Sequence, residues 1–181
     1  CFLGFRQYKV IDEQTNIEQI MTYKQTFPFI GAVALDQKKI GSTTLNATFN
    51  IYGEEVFGTG DEERTFPYIS QTVEGANDLD GTPFPTVTTD YVYGDSYGNA
   101  TKVTVSTPDG ASKVTDSTYL NDETKWHIGR LLTAKVTSTV PDTTPSPTGA
   151  GAGAAGSEGD DPKPHGVIVV PLNGFTVIPL H

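Results

Sequence analysis

Cysteine is almost absent from this chain. The single one, Cys1, leaves no partner for an internal disulfide. Histidine is scarce as well: only His127, His165 and His181 occur, and no Cys-x-x-Cys, His-Glu-x-x-His or His-x-Glu spacing is present. Those are the spacings that zinc sites use, so no metal centre is expected. No serine stands in a nucleophile-elbow context, and His127 beside Trp126 reads as a turn residue rather than a base. No apolar run approaches the ~20 residues of a membrane helix. The longest, Val167-Ile168-Val169-Val170, is stopped by Pro171. Basic residues are few, 12 Lys and Arg against 22 Asp and Glu, for a net charge of −10. Nucleic acid and anionic membranes both require a cationic face, so neither is an expected partner. The plain explanation of the acidity is solubility.

The acidic clusters do not add up to a site. Asp78-Leu79-Asp80-Gly81 resembles half of a calcium loop. Aligning Gly81 with that loop's glycine, however, puts Ala76 and Val87 where ligands belong. Glu54-Glu55 and Asp61-Glu62-Glu63 bracket Gly58-Thr59-Gly60, which reads as a solvated hairpin tip. That loop is a poor phosphate cradle, because carboxylates surround it and no helix follows. Paired carboxylates could hydrolyse glycosides, but no pair is singled out. The sequence therefore predicts no catalytic residue, no cofactor and no metal. Cys1 allows two readings: a lipidated residue left by signal cleavage, or the start of a processed chain or fragment.

What is present is β-forming. Val, Ile, Thr, Tyr and Phe dominate most segments, and turn clusters of Gly, Pro, Asn and Asp separate them. The pattern predicts strands over 6–11, 17–24, 43–52, 66–73, 87–93, 101–107, 113–119 and 131–139. A turn at 12–16 joins the first pair, and only 122–126 is suited to a helical turn. In 43–52, Leu45, Ala47 and Phe49 alternate with Thr44, Asn46 and Thr48; in 131–139, Leu132, Ala134 and Val136 alternate with Thr133, Lys135 and Thr137. The period is two nearly everywhere, so the expected class is all-β, with antiparallel sheets built from consecutive hairpins. At 181 residues the chain is long enough for one ordinary core. Pro108-Asp109-Gly110 suits the turn between 101–107 and 113–119, with Val103 and Val105 inward.

Three regions follow from composition. Residues 1–140 form the β-rich domain. Residues 141–164 are Pro/Thr-rich, then Gly/Ala-rich, then acidic, and read as a linker. Residues 165–181 regain β character, with Asn173-Gly174 between two apolar runs as a hairpin signal. Such a hairpin is unstable alone in water, so Val167, Val169, Phe175, Val177 and Ile178 are expected to form an assembly tail. It would dock on a sheet edge, its own domain's or a neighbour's.

One stretch carries a recognisable pattern: Tyr91-Val92-Tyr93-Gly94-Asp95-Ser96-Tyr97-Gly98-Asn99-Ala100-Thr101. It resembles the tyrosine-aspartate (YD) repeats of bacterial Rhs proteins, Y-x-Y-D-x-x-G-N-x-T, although Gly94 occupies the place of the usual aspartate. The resemblance extends in order through Gly4-Phe5-Arg6, Tyr23-Lys24-Gln25-Thr26-Phe27-Pro28, Pro108-Asp109-Gly110, Thr118-Tyr119-Leu120-Asn121-Asp122 and Trp126-His127-Ile128-Gly129-Arg130. It covers roughly residues 4–140, including segments like those of Tc-toxin B components. In that family such hairpins form the wall of a large β-shell, sometimes around a toxic cargo. The resemblance implies a non-enzymatic structural domain of a secreted or cell-surface bacterial protein. Its partners would be neighbouring segments of a larger protein or further copies of itself. The alternative is a module that binds a carbohydrate or host surface through exposed aromatics such as Tyr52, Phe57, Tyr68 and Tyr91.

Overall fold

The computed structural model describes residues 4–141 and 167–171. Among them are ten strands: β1 Gln7–Asp12, β2 Ile17–Tyr23, β3 Val33–Ile40, β4 Thr43–Phe57, β5 Arg64–Ala76, β6 Val87–Tyr93, β7 Ala100–Ser106, β8 Ser112–Asp122, β9 His127–Thr139 and β10 Val167–Pro171. They form one sheet whose spatial order is the chain order. Every pairing is antiparallel. The all-β class built from consecutive hairpins is therefore what the chain adopts. The only helix among the described residues is a 3₁₀ turn, Gly60–Glu62, at the tip between β4 and β5.

The expected core is not there. Among the described residues no side chain is buried; strand residues are half-buried or exposed. Chain length permits a core, but a core needs a second layer, and this meander supplies one layer only. Cross-strand rows explain why the single layer holds. One row runs Asn50, Thr72, Thr89, Val105, Lys113 and Ser138; the row on the opposite face runs Gln71, Asp90, Thr104, Val114 and Thr137. β-branched residues suit the pleat, and four of the six in these rows are threonines, whose hydroxyl can face water. Polar pairs bridge strands within these rows: Thr72 Oγ1 donates to Asn50 Oδ1 at 3.0 Å and Gln71 Nε2 to Asp90 Oδ1 at 2.7 Å. Neither face is a continuous apolar surface that would force a second layer.

The predicted hairpin across Pro108-Asp109-Gly110 is present. β7 pairs β8 with Val103 opposite Thr115 and Val105 opposite Lys113. Gly110, at φ 91°, closes the turn by donating to the Thr107 carbonyl at 3.0 Å. Val103 and Val105 do not point into a core; they are half-buried on an open face.

Several expectations are corrected. Residues 123–126 form the β8–β9 hairpin loop: the Asp122 carboxylate caps it by accepting the Thr124 and Lys125 amides at 3.1 and 3.2 Å, and Trp126, at φ 55°, turns the chain back into β9 before a helix can propagate. A bulge between β8 and β9 passes over Leu132, so Leu131, opposite Tyr119, takes the place beside Ala134 and Val136. A second bulge, between β3 and β4, passes over Leu45 in the same way. Phe49, a member of the alternating apolar set in β4, is 47% exposed. β3 was not anticipated: Asp36, Lys38 and Lys39 break its apolar alternation. The 141–164 linker, Cys1, His165, His181 and the Asn173-Gly174 turn lie outside the described residues, apart from Pro141.

Candidate functional site

In an antiparallel meander every second turn lies at the same end of the sheet. The β4–β5, β6–β7 and β8–β9 turns therefore share one rim, and the predicted residues Tyr97, Gly98, Asn99 and Trp126 gather there. Pro108, Asp109 and Gly110 belong to the opposite rim and do not join them. Tyr91 sits opposite Val103 in the body of the sheet. Arg130 is exposed opposite Leu120 and forms no salt bridge among the described residues.

Asp95 organises the rim. Its Oδ1 accepts the Tyr97 and Asn99 amides, each at 3.0 Å. Its Oδ2 accepts Asn99 Nδ2 at 2.6 Å and Asn121 Nδ2 at 2.9 Å. Asn121 Oδ1 in turn accepts the Gly129 amide at 2.8 Å. A single carboxylate thus ties the β6–β7 turn to β8 and β9. Burial alone would raise the Asp95 pKa, but hydrogen bonds from Asn99, Asn121 and Tyr97 outweigh it and hold the carboxyl below its ordinary 3.8. The aspartate sits one residue later than in the YD pattern. Gly94 accommodates the extra residue, since a Cβ there would lie 2.5 Å from the Thr101 side chain. Asn99, part of an Asn-x-Thr triplet, has its amide engaged in this network.

Aromatic rings cover the inner side of the rim. Phe66, Tyr68 and Tyr93 form a cluster with centroid separations of 5.8, 6.1 and 4.8 Å. Phe66 lies over Gly98 and Tyr68 over Gly53, where a Cβ would approach the rings to 2.6 and 2.8 Å. Aromatic side chains here fill the gap that glycine leaves in the sheet surface. The Tyr52 ring lies tilted against Phe29, with centroids 5.6 Å apart, and its hydroxyl donates to the Val33 carbonyl at 2.9 Å. The aromatics expected to be exposed, Tyr52, Phe57, Tyr68 and Tyr91, are all half-buried instead. Their neighbours across the strands cover them.

The exposed ring at this rim is Trp126, which is 77% exposed. It borders a crevice of about 500 Å³ walled by Phe57, Arg64, Thr65 and Phe66 from the β4–β5 tip and by Ser96 and Tyr97 from the β6–β7 turn. Tyr97 Oη donates to Glu123, which locks the β6–β7 turn to the β8–β9 loop. That hydrogen bond is also what pushes the Tyr97 pKa up. Trp126 has φ 55°. The β1–β2 turn is built alike: Asp12 caps it, and its left-handed residue is Asn16, at φ 56°. Asparagine suits that conformation, whereas a bulky aromatic there costs about 1 kcal/mol or more.

Sequence reasoning singled out neither Arg64 nor Phe66 at this rim, and Ser96 and Asn121 lie within the segments that resemble the YD pattern without a role of their own there. The usable signal was turn parity, which brings alternate hairpin tips to one rim once the meander is assumed. The carboxylates of Asp78 and Asp80 are engaged by the backbone amides of Leu79 and Thr82, at 2.7 and 2.8 Å, in a turn. Among the described residues no helix is long and apolar enough to cross a membrane. Comparison with protein-family models, with curated proteins and with solved structures finds no match.

Proposed function

We propose that the chain is a non-enzymatic wall element: a structural β-domain of a secreted or cell-surface Rhs-like protein that contributes to a shell or an extracellular assembly. The observation that carries this reading is the ten-strand meander with no buried side chain among the described residues. Catalytic groups are held in place by side chains packed around them, and no described side chain is enclosed in that way. A wall needs lateral hydrogen bonding and two workable faces. Exposed apolar side chains, Tyr8, Val10 and Ile11 on β1 and Phe49 and Ile51 on β4, leave surface for neighbouring segments to cover. The YD-like turn supports the same reading, because Asp95 spends its hydrogen-bonding capacity on joining hairpins.

Sedimentation velocity over a concentration series tests the proposal, with circular dichroism to follow β content. The expected outcome is association that grows with concentration while β content is retained. A concentration-independent monomer that small-angle X-ray scattering shows to have a radius of gyration of about 16 Å, the value for a compact chain of this length, would contradict it.

A further inference from the structure

We propose that the rim crevice beside Trp126 binds an uncharged sugar ring, a role separate from that of a wall element. Four observations meet at this place. The crevice, about 500 Å³, has the size of a small-ligand site and mixes aromatic walls with hydroxyls. Its outer wall is Trp126, an indole 77% exposed that stacks on no other ring among the described residues. That indole is held at φ 55° where the sister turn uses asparagine, so the chain tolerates strain to present a flat apolar face at the surface. Arg64, on the facing wall, forms no salt bridge among the described residues despite the acidic tip beside it.

A pyranose ring matches this set. Its axial C–H groups form an apolar face that lies flat on an indole, and its hydroxyl oxygens accept from a guanidinium and from Ser96 or Thr65. Charge selects among sugars. Asp61, Glu62 and Glu63 stand beside Arg64, and Glu123 holds Tyr97. A uronate or sulfated sugar would be repelled there, and an uncharged one would not. Tyr97 is fixed by its bond to Glu123, so the wall opposite Arg64 is set before a ligand arrives.

Trp126 is the only tryptophan in the chain, so its fluorescence reports on this crevice alone. The full chain is titrated with cellotetraose, maltotetraose and β-1,4-galactotetraose, with polygalacturonate as the charged comparison. The proposal expects a saturable change in Trp126 emission with at least one neutral tetrasaccharide and none with polygalacturonate. Calorimetry with that sugar should then show affinity reduced at least about tenfold in Arg64→Ala and in Trp126→Asn. The Trp126→Asn variant places in this turn the residue its sister turn already uses, so circular dichroism should show it folded; Trp126→Tyr should bind with intermediate affinity. Absence of binding to all three neutral sugars, preference for polygalacturonate, or undiminished affinity in Arg64→Ala and Trp126→Tyr would each overturn it.

Discussion

Asp95 accepts four hydrogen bonds from residues on two hairpins, so replacing it with alanine removes more than a local turn cap. Asn99 and Asn121 would lose a charged acceptor, and the expected loss is about 1–3 kcal/mol in urea unfolding. Asp95→Asn, which keeps the shape but not the charge, should recover part of it. Protonation makes a related test. Asp12, Asp109 and Asp122 also have lowered pKa values, from hydrogen bonds led by Thr15, Thr107 and Thr124 respectively. A group whose folded pKa lies below its unfolded value stabilises the fold above the unfolded value. That contribution is lost as pH falls through the folded one. Thermal stability should therefore be flat above pH 5 or so and decline below the ordinary carboxyl value of 3.8. In Asp95→Asn the acid decline should be shallower. Glycine offers a sharper contrast. Gly98 and Gly110 both have positive φ, 75° and 91°, but only Gly98 has a ring where a Cβ would go, 2.6 Å from Phe66. Alanine at 110 should cost about 1 kcal/mol from strain alone, and alanine at 98 visibly more. Equal losses in the two variants would show that Phe66 does not pack on Gly98.

At the scale of elements, what the sequence made legible was the set of strands whose alternation is clean. Residues 87–93 coincide with β6, and the Pro-Asp-Gly turn is where its residue types place it. β3 was hidden because Asp36, Lys38 and Lys39 interrupt the apolar residues of a strand that is half-buried on both faces, and alternation marks only strands with one covered face and one exposed one. Bulges were hidden for a different reason. Passing over Leu45 or Leu132 is decided by the partner strand, which no single segment reports. The rim was hidden for the same reason, since Arg64, Tyr97 and Trp126 meet only after hairpins are stacked in order. β10 carries a prediction of its own. It pairs with Thr133 to Thr137 of β9, covering an edge that would otherwise present free amide and carbonyl groups. Truncation after residue 141 should speed hydrogen exchange at the alternate β9 amides that face β10, by about tenfold or more, while amides of β4 and β5 stay unchanged. Unchanged exchange across β9 would mean that its edge is not held by this strand in solution.

For the whole molecule the decisive property is thickness. Length allowed a core, and the chain uses its residues to extend a sheet laterally instead, with hydroxyl-bearing β-branched rows making both faces tolerable to water. The wall proposal and the sugar-binding rim are compatible on this architecture, because one uses the faces and edges and the other uses a line of turns. Successive residues of a strand point to opposite faces, so thickness can be read from adjacent side chains. Carbene footprinting of the full chain at sub-micromolar concentration, analysed by mass spectrometry along β4 and β5, makes that reading directly. A single open layer predicts comparable labelling of half-buried neighbours such as Tyr68 and Ile69, Ser70 and Gln71, and Thr72 and Val73, and labelling of Asn50 and Tyr52 as well as of the more exposed Phe49 and Ile51. Strict alternation of labelled and protected residues along both strands would reveal a second layer covering one face and would contradict the account.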